Sequence, residues 1–169
     1  MRPRIVFALV ALLVVVSVGG LQASAGSGNK FSARLTGYEE TPTLSVAGTG
    51  TFSAEISKDE TSVSYTLSYS GLTGPALFAH IHLGMPAILG GVIAFLCDSD
   101  PATMQIPACP GAGGEVSGSV EAADVIGPAG QGITAGEFEE LVAAMRFGAT
   151  YVNVHTTAFP GGEIRGQIG

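Results

Sequence analysis

The chain has 169 residues, a length that suits one domain, and its 46% apolar and 12% charged residues exclude disorder over the whole length. Twenty-five Gly and nine Pro leave little room for long helices and favour short strands joined by tight turns. Seven basic against fourteen acidic residues give a net charge of −7, which argues against nucleic acid or an anionic membrane as the main partner.

The chain starts like an export signal. Arg2 and Arg4 precede an apolar run from Ile5 to Val18 that only Ser17 interrupts, and Ala23-Ser24-Ala25 supplies a small-x-small cleavage site. The run is shorter than the roughly 20 residues that span a bilayer. Residues 1–25 therefore read as a secretory signal peptide. The mature protein is expected to be secreted, extracellular or periplasmic, with no membrane span after cleavage. Cleavage after Ala25 leaves 144 residues with a net charge of −9. Residues 26–30 read as a polar leader, and one domain fills 31–169.

From Phe31 onward apolar residues alternate with polar ones, the period of half-buried strands. Phe31, Ala33 and Leu35 form the first such run. Glu39-Glu40-Thr41-Pro42 follows as a solvated acidic turn. Phe52, Ala54 and Ile56 form the second run, and Val63, Tyr65, Leu67 and Tyr69 the third. Ala76 to Leu83 is a fourth strand, and the unbroken apolar stretch Val92 to Leu96 reads as a strand buried on both faces. Cys97 and Cys109, the only two cysteines, are expected to pair in an oxidising compartment, closing the Pro-rich loop 98–108. Such a closure contributes about 3 kcal/mol in the chain-entropy picture. Val116 and Val120 mark the sixth strand, and Tyr151 to Thr156 and Glu163 to Ile168 complete the set. One helix interrupts the strands. Thr134-Ala135-Gly136-Glu137 predicts a capping box with Ile133 and Phe138 as its hydrophobic staple. Phe138, Leu141, Val142 and Met145 share one face, and Gly148 supplies the stop. The expected fold is mostly β: an antiparallel Greek-key β-sandwich of about eight strands with one short helix.

The chemistry concentrates in three histidines, each on a predicted strand. His80 and His82, two apart, project from the same face, with Ile81 pointing into the opposite layer. His155 lies on a later strand, and pairing of the two strands would gather three imidazoles. Neutral imidazole is a donor suited to copper and zinc. Because the ligands must be neutral, affinity is expected to fall as pH drops through about 6.5. Arg165 in the last strand can guide or hold small anions, or fork onto backbone carbonyls. Glu163 shares its parity. Asn153 shares the parity of His155 and Tyr151 and can orient a histidine. Thr156 falls on the other face. No G-x-S-x-G, P-loop or dinucleotide fingerprint occurs.

Several blocks taken together resemble the chordin-type (CHRD) domain: Ala33 to Pro42, Gly48 to Phe52, Ala79-His-Ile-His-Leu-Gly84, Tyr151-Val-Asn-Val-His-Thr156 and Pro160-Gly-Gly-Glu-Ile-Arg-Gly-Gln167. The resemblance covers about 31–169 and implies an extracellular module. A second resemblance is to the copper/zinc superoxide dismutases. Gly71 to Gly84 is similar to their strand carrying a His-x-His copper pair. Val154-His155 is similar to a later copper ligand, and Arg165 to the arginine that guides superoxide. That family is a Greek-key sandwich. The chain lacks a fourth histidine to bridge a second metal, a zinc cluster and that enzyme's cysteine pattern.

These readings point to a secreted CHRD-domain protein that binds a transition metal, copper before zinc, through His80, His82 and His155. A redox-protective role follows from that chemistry, with dismutase-like catalysis as its enzymatic extension. The other reading is a non-enzymatic extracellular adhesion or interaction module with a protein partner, in which the histidines are structural.

Overall fold

The computed structural model describes residues 28–100 and 106–169, so the signal-peptide reading of 1–25 and the middle of the Pro-rich loop lie outside the described residues. Eight strands form: β1 (Lys30–Thr36), β2 (Thr49–Ile56), β3 (Ser62–Ser70), β4 (Ala76–Leu83), β5 (Val92–Asp98), β6 (Gly114–Glu121), β7 (Thr150–Thr156) and β8 (Ile164–Gln167). Every run that alternates in the sequence becomes a strand. Lys30 already belongs to β1, and the Asn29 carbonyl accepts the Ile56 N–H, so the ladder starts just inside the polar leader.

The strands hydrogen-bond in the order β5-β4-β7-β8-β1-β2-β3-β6, all antiparallel, as one eight-stranded sheet. The sheet curls until its two edges, β5 and β6, approach each other. The Tyr65 hydroxyl on β3 donates to the Leu96 carbonyl on β5 across the curl. The architecture is thus a nearly closed barrel with the Greek-key connections expected of a sandwich. The β3–β4, β5–β6 and β6–β7 connections cross between its two halves, β1-β2-β3-β6 and β5-β4-β7-β8. The halves meet at the β8–β1 seam, where Thr36 pairs with Arg165 and Ser32 with Gly169.

Inside lies one apolar core. Leu35, Phe52, Leu67, Ile81, Leu96, Val152 and Ile164 all belong to it. On β1, β2 and β3 burial alternates residue by residue, with the polar partners in water. β7 breaks that alternation: all seven of its residues are buried. Both faces of this strand are covered, and the outer cover positions the site.

The helix α1 (Phe138–Phe147) sits over the end of the barrel formed by Asn29 and the β2–β3 turn, where the Arg146 guanidinium reaches Asn29 (3.0 Å) and Glu60 (2.7 Å). Phe138, Leu141, Val142 and Met145 are its buried face, as the periodicity predicts. Its start differs from the expectation. The Glu137 carboxylate does accept the Thr134 N–H (2.7 Å), but as part of a separate turn, because Gly136 is left-handed (φ +89°) and breaks the path before the helix begins. Gly148 ends the helix in the left-handed conformation (φ 73°). Cys97 and Cys109 form a disulfide with Cα atoms 5.0 Å apart, holding the crossing segment against the end of β5.

Candidate metal centre

An irregularity between Ala76 and Phe78 resets β4, and beyond it Ala79 and Ile81 enter the core, so Phe78, His80 and His82 face outward. β4 pairs with β7 in the register Phe78↔His155, His80↔Asn153 and His82↔Tyr151. Same-face residues on paired strands lie side by side, so this register brings His155 to the His-Ile-His pair. Ring centroids are 5.3 Å apart for His80–His82, 5.0 Å for His80–His155 and 6.0 Å for His82–His155. Each ring offers one nitrogen such that all three lie within 4.8 Å of one another.

The outward face of β4, β7 and β8 would be wet on a bare barrel. Here three connections roof it. The 84–91 segment is tied down by His82, whose Nδ1–H donates to the Gly90 carbonyl (3.0 Å). Arg165 reinforces it with Nη2 donations to the carbonyls of Met85 and Ile88, 3.0 Å each. The 157–163 segment is held by His155 Nδ1–H to the Pro160 carbonyl (2.9 Å). The 37–48 segment delivers Glu40, whose Oε1 accepts from Asn153 Nδ2 (2.6 Å).

The roof decides the chemistry of the rings. All three are nearly sealed, between 5% and 8% exposed. The two carbonyl bonds fix the protonated nitrogen of His82 and His155 at Nδ1 and leave Nε2 as a bare lone pair. Those two Nε2 atoms, and both nitrogens of His80, find no hydrogen-bond partner among the described residues. Burial pushes His80 down to about 3, helped by the neighbouring His155 and His82. Burial likewise pushes His82 down to about 4; the Gly90 carbonyl opposes the shift, while His155 and the Arg165 guanidinium add to it. His155 is lowered by burial too, against the Pro160 carbonyl. His80 and His82 are therefore neutral well below pH 6.5, and burial moves His155 in the same direction, which places proton competition below the pH of about 6.5 expected for a free imidazole.

Aromatic rings wall the cluster. Phe78 stacks on His80 (4.9 Å) and leans on His155 (4.8 Å), Phe95 stands edge-on to His80 (4.2 Å), and Tyr151 stacks on His82 (4.7 Å). The Arg165 guanidinium carbon lies 3.5 Å from the Tyr151 ring centroid. Tyr151 in turn accepts the Gly90 N–H at its hydroxyl (3.1 Å).

Of the other candidates, Asn153 stands on the histidine face beside His80 and is held by Glu40. Arg165 is 1% exposed and spends one amino group on loop carbonyls. Glu163 is fully buried and engaged elsewhere: its carboxylate accepts the Thr73 N–H and the Thr156 hydroxyl, 2.6 Å each. It ties the turn before β4 to the end of β7. Glu40 corrects the solvated-turn reading of its segment. Glu39 is in water, but Glu40 is buried, and burial raises its carboxyl to about 7 against the bonds from Asn153 and Thr41 and the attraction of Arg165. Nothing local in Glu39-Glu40 distinguishes the two. Phe78 and Tyr151 do share the histidine parity, a sequence signal that strand pairing turns into contact.

The donor set fits a transition-metal ion: three neutral imidazoles, two with tautomers fixed by carbonyls, and bare nitrogens without another partner among the described residues. Bonds of about 2.0–2.1 Å would draw the donors inward from the present spacing by up to about 1 Å. A single-layer β barrel bearing a roofed trihistidine cluster thus defines the class of protein. Residues 31–168 match the CHRD domain model, and the chain belongs to the CHRD-domain family. CHRD domains are found in extracellular proteins. No curated protein and no solved structure matches the chain.

Proposed function

We propose that this protein is a secreted CHRD-domain module that holds one transition-metal ion, copper in preference to zinc, between His80, His82 and His155. The observation that carries the reading is the set of buried ring nitrogens without partners, since leaving such a group unsatisfied costs about 1–3 kcal/mol each. A buried histidine with a purely structural role is ordinarily hydrogen-bonded, whereas neither nitrogen of His80 has a partner among the described residues. A sealed, redox-active ion is kept from oxidants in the medium, which supports a redox-protective role. The reading stops at holding the ion: Arg165 lies under the 84–91 roof, engaged with its carbonyls.

One observation favours the alternative of an interaction module with structural histidines. His82 and His155 each brace a roof segment through a carbonyl. Copper titration followed by thermal melting, on the wild type and His82→Ala, separates the two. The metal reading expects one ion per chain and a copper-dependent rise in Tm in the wild type alone. Equal copper uptake by both proteins, or no uptake by either, would refute it.

A further inference from the structure

The trihistidine cluster is electrically unusual for a metal site. Among the described residues no Asp, Glu or Cys joins the three imidazoles within reach. The donor set is neutral and by itself brings no negative charge to an incoming ion. The carboxyl group that does reach this face, Glu40, is no member of the donor group; it is bound to Asn153 and lies within the electrostatic reach of Arg165. A positive charge is already present. Arg165 is 1% exposed, stacks on Tyr151 opposite the His82 register position, and acts on His82 electrostatically. Its Nη1 is buried without a partner among the described residues. The walls are Phe78, Phe95 and Tyr151, which cannot screen charge.

The cost of burying an ion rises with the square of its charge, and repulsion by Arg165 rises with the charge itself. Both terms penalise a dication far more than a monocation. A dication on three neutral imidazoles needs a carboxylate, a thiolate or a bound hydroxide to offset its charge, and the described residues supply neither of the first two as ligands. Three neutral nitrogens suffice for a soft monocation.

From this we infer that the centre selects the monovalent state, taking Cu(I) rather than Cu(II) or Zn(II), with the buried Arg165 guanidinium as the residue that sets the charge preference. The inference rests on the trihistidine reading and adds the oxidation state. No electron transfer is involved in the binding step: the ion arrives as Cu(I) and displaces no proton from Nδ1 of His82 or His155.

The test is an anaerobic competition titration of the purified protein with Cu(I) against a colorimetric Cu(I) chelator. Ag(I) serves as a redox-inert monovalent probe, and Zn(II) and Cu(II) are titrated in parallel by calorimetry. The expected result is one Cu(I) or Ag(I) per chain, bound at least about a hundredfold more tightly than either dication. Dications bound as tightly as Cu(I) would overturn the charge selection while leaving a metal site in place. Failure of all four ions to bind would sink the site itself. Arg165→Met is expected to strengthen dication binding roughly tenfold and Cu(I) binding less. Arg165→Gln, which keeps a donor for the Met85 and Ile88 carbonyls, replaces it if the Met variant does not fold. An unchanged ratio in either folded variant removes Arg165 from the selection.

Discussion

His80 sits sealed among Phe78, Phe95 and the two other imidazoles, with neither nitrogen bonded among the described residues, so in the metal-free protein it is a source of instability. Replacing it by Leu, of similar volume, removes two unsatisfied polar atoms and no hydrogen bond. We expect His80→Leu to raise metal-free stability by about 1–2 kcal/mol in urea unfolding and to abolish metal binding. A loss of stability would show that the ring has a structural partner. The histidines also fix the pH response. Their folded-state pKa values are depressed, so their contribution is complete above the unfolded value of about 6.5 and is lost as pH falls toward the folded values near 4 and 3. Glu40 acts with the opposite sign. Its folded pKa is raised from 4.5 to about 7, so its contribution is present below 4.5 and is lost as pH rises to 7. Between those limits the two slopes oppose each other. Glu40→Gln keeps an acceptor for Asn153 and removes the second slope. Metal-free unfolding measured at pH 5 and 7.5 should then show a steeper rise of stability with pH in the variant. An identical slope would mean that Glu40 ionises freely in the fold.

The elements differ in what holds them. The end of α1 depends on a left-handed Gly148 whose missing side chain would meet open space, so only backbone conformation resists substitution. Gly148→Ala should cost about 1 kcal/mol in thermal unfolding and leave metal affinity unchanged. The 84–91 connection is the contrary case. A side chain at Gly90 would run into the Leu83 carbonyl, and the Gly90 carbonyl is the partner of His82. Gly90→Ala should therefore displace the roof and weaken metal binding together with stability. The same titration on this variant checks the coupling, and unimpaired binding would show that the roof is dispensable. At the crossing between β5 and β6, removing the Cys97–Cys109 bridge by paired substitution to Ala should cost about 3 kcal/mol, read from denaturant midpoints.

At the scale of the molecule, the proposed ion and the barrel would stabilise each other. The three proposed ligands come from β4 and β7, which are adjacent in space but separated in sequence by β5, β6 and α1. An ion held between them binds only the folded chain. A free concentration one hundred times Kd adds about 2.7 kcal/mol to the unfolding free energy, whichever ion is preferred. The rise should vanish in His155→Ala, since that change removes the only ligand supplied by β7. A rise that survives would place the ion elsewhere.

The sequence by itself determined the strands and the apolar face of the helix, because a period of two or of 3.6 is a local property of the chain. It also placed His80 and His82 on one face, through the pleat of a single strand. It could not place the start of α1, since Gly136 can continue a helix or break it. Nor could alternation tell Glu40 from Glu39: which of two adjacent acids is buried depends on how the 37–48 segment lies on β7. Only the tertiary structure decided that β4 pairs with β7 in the register that brings His155 across. Only the roof of three connections turned an outward polar face into a dry one. Desolvation is a property of what packs above a residue, and that cover is assembled from segments the chain brings together only when the barrel closes.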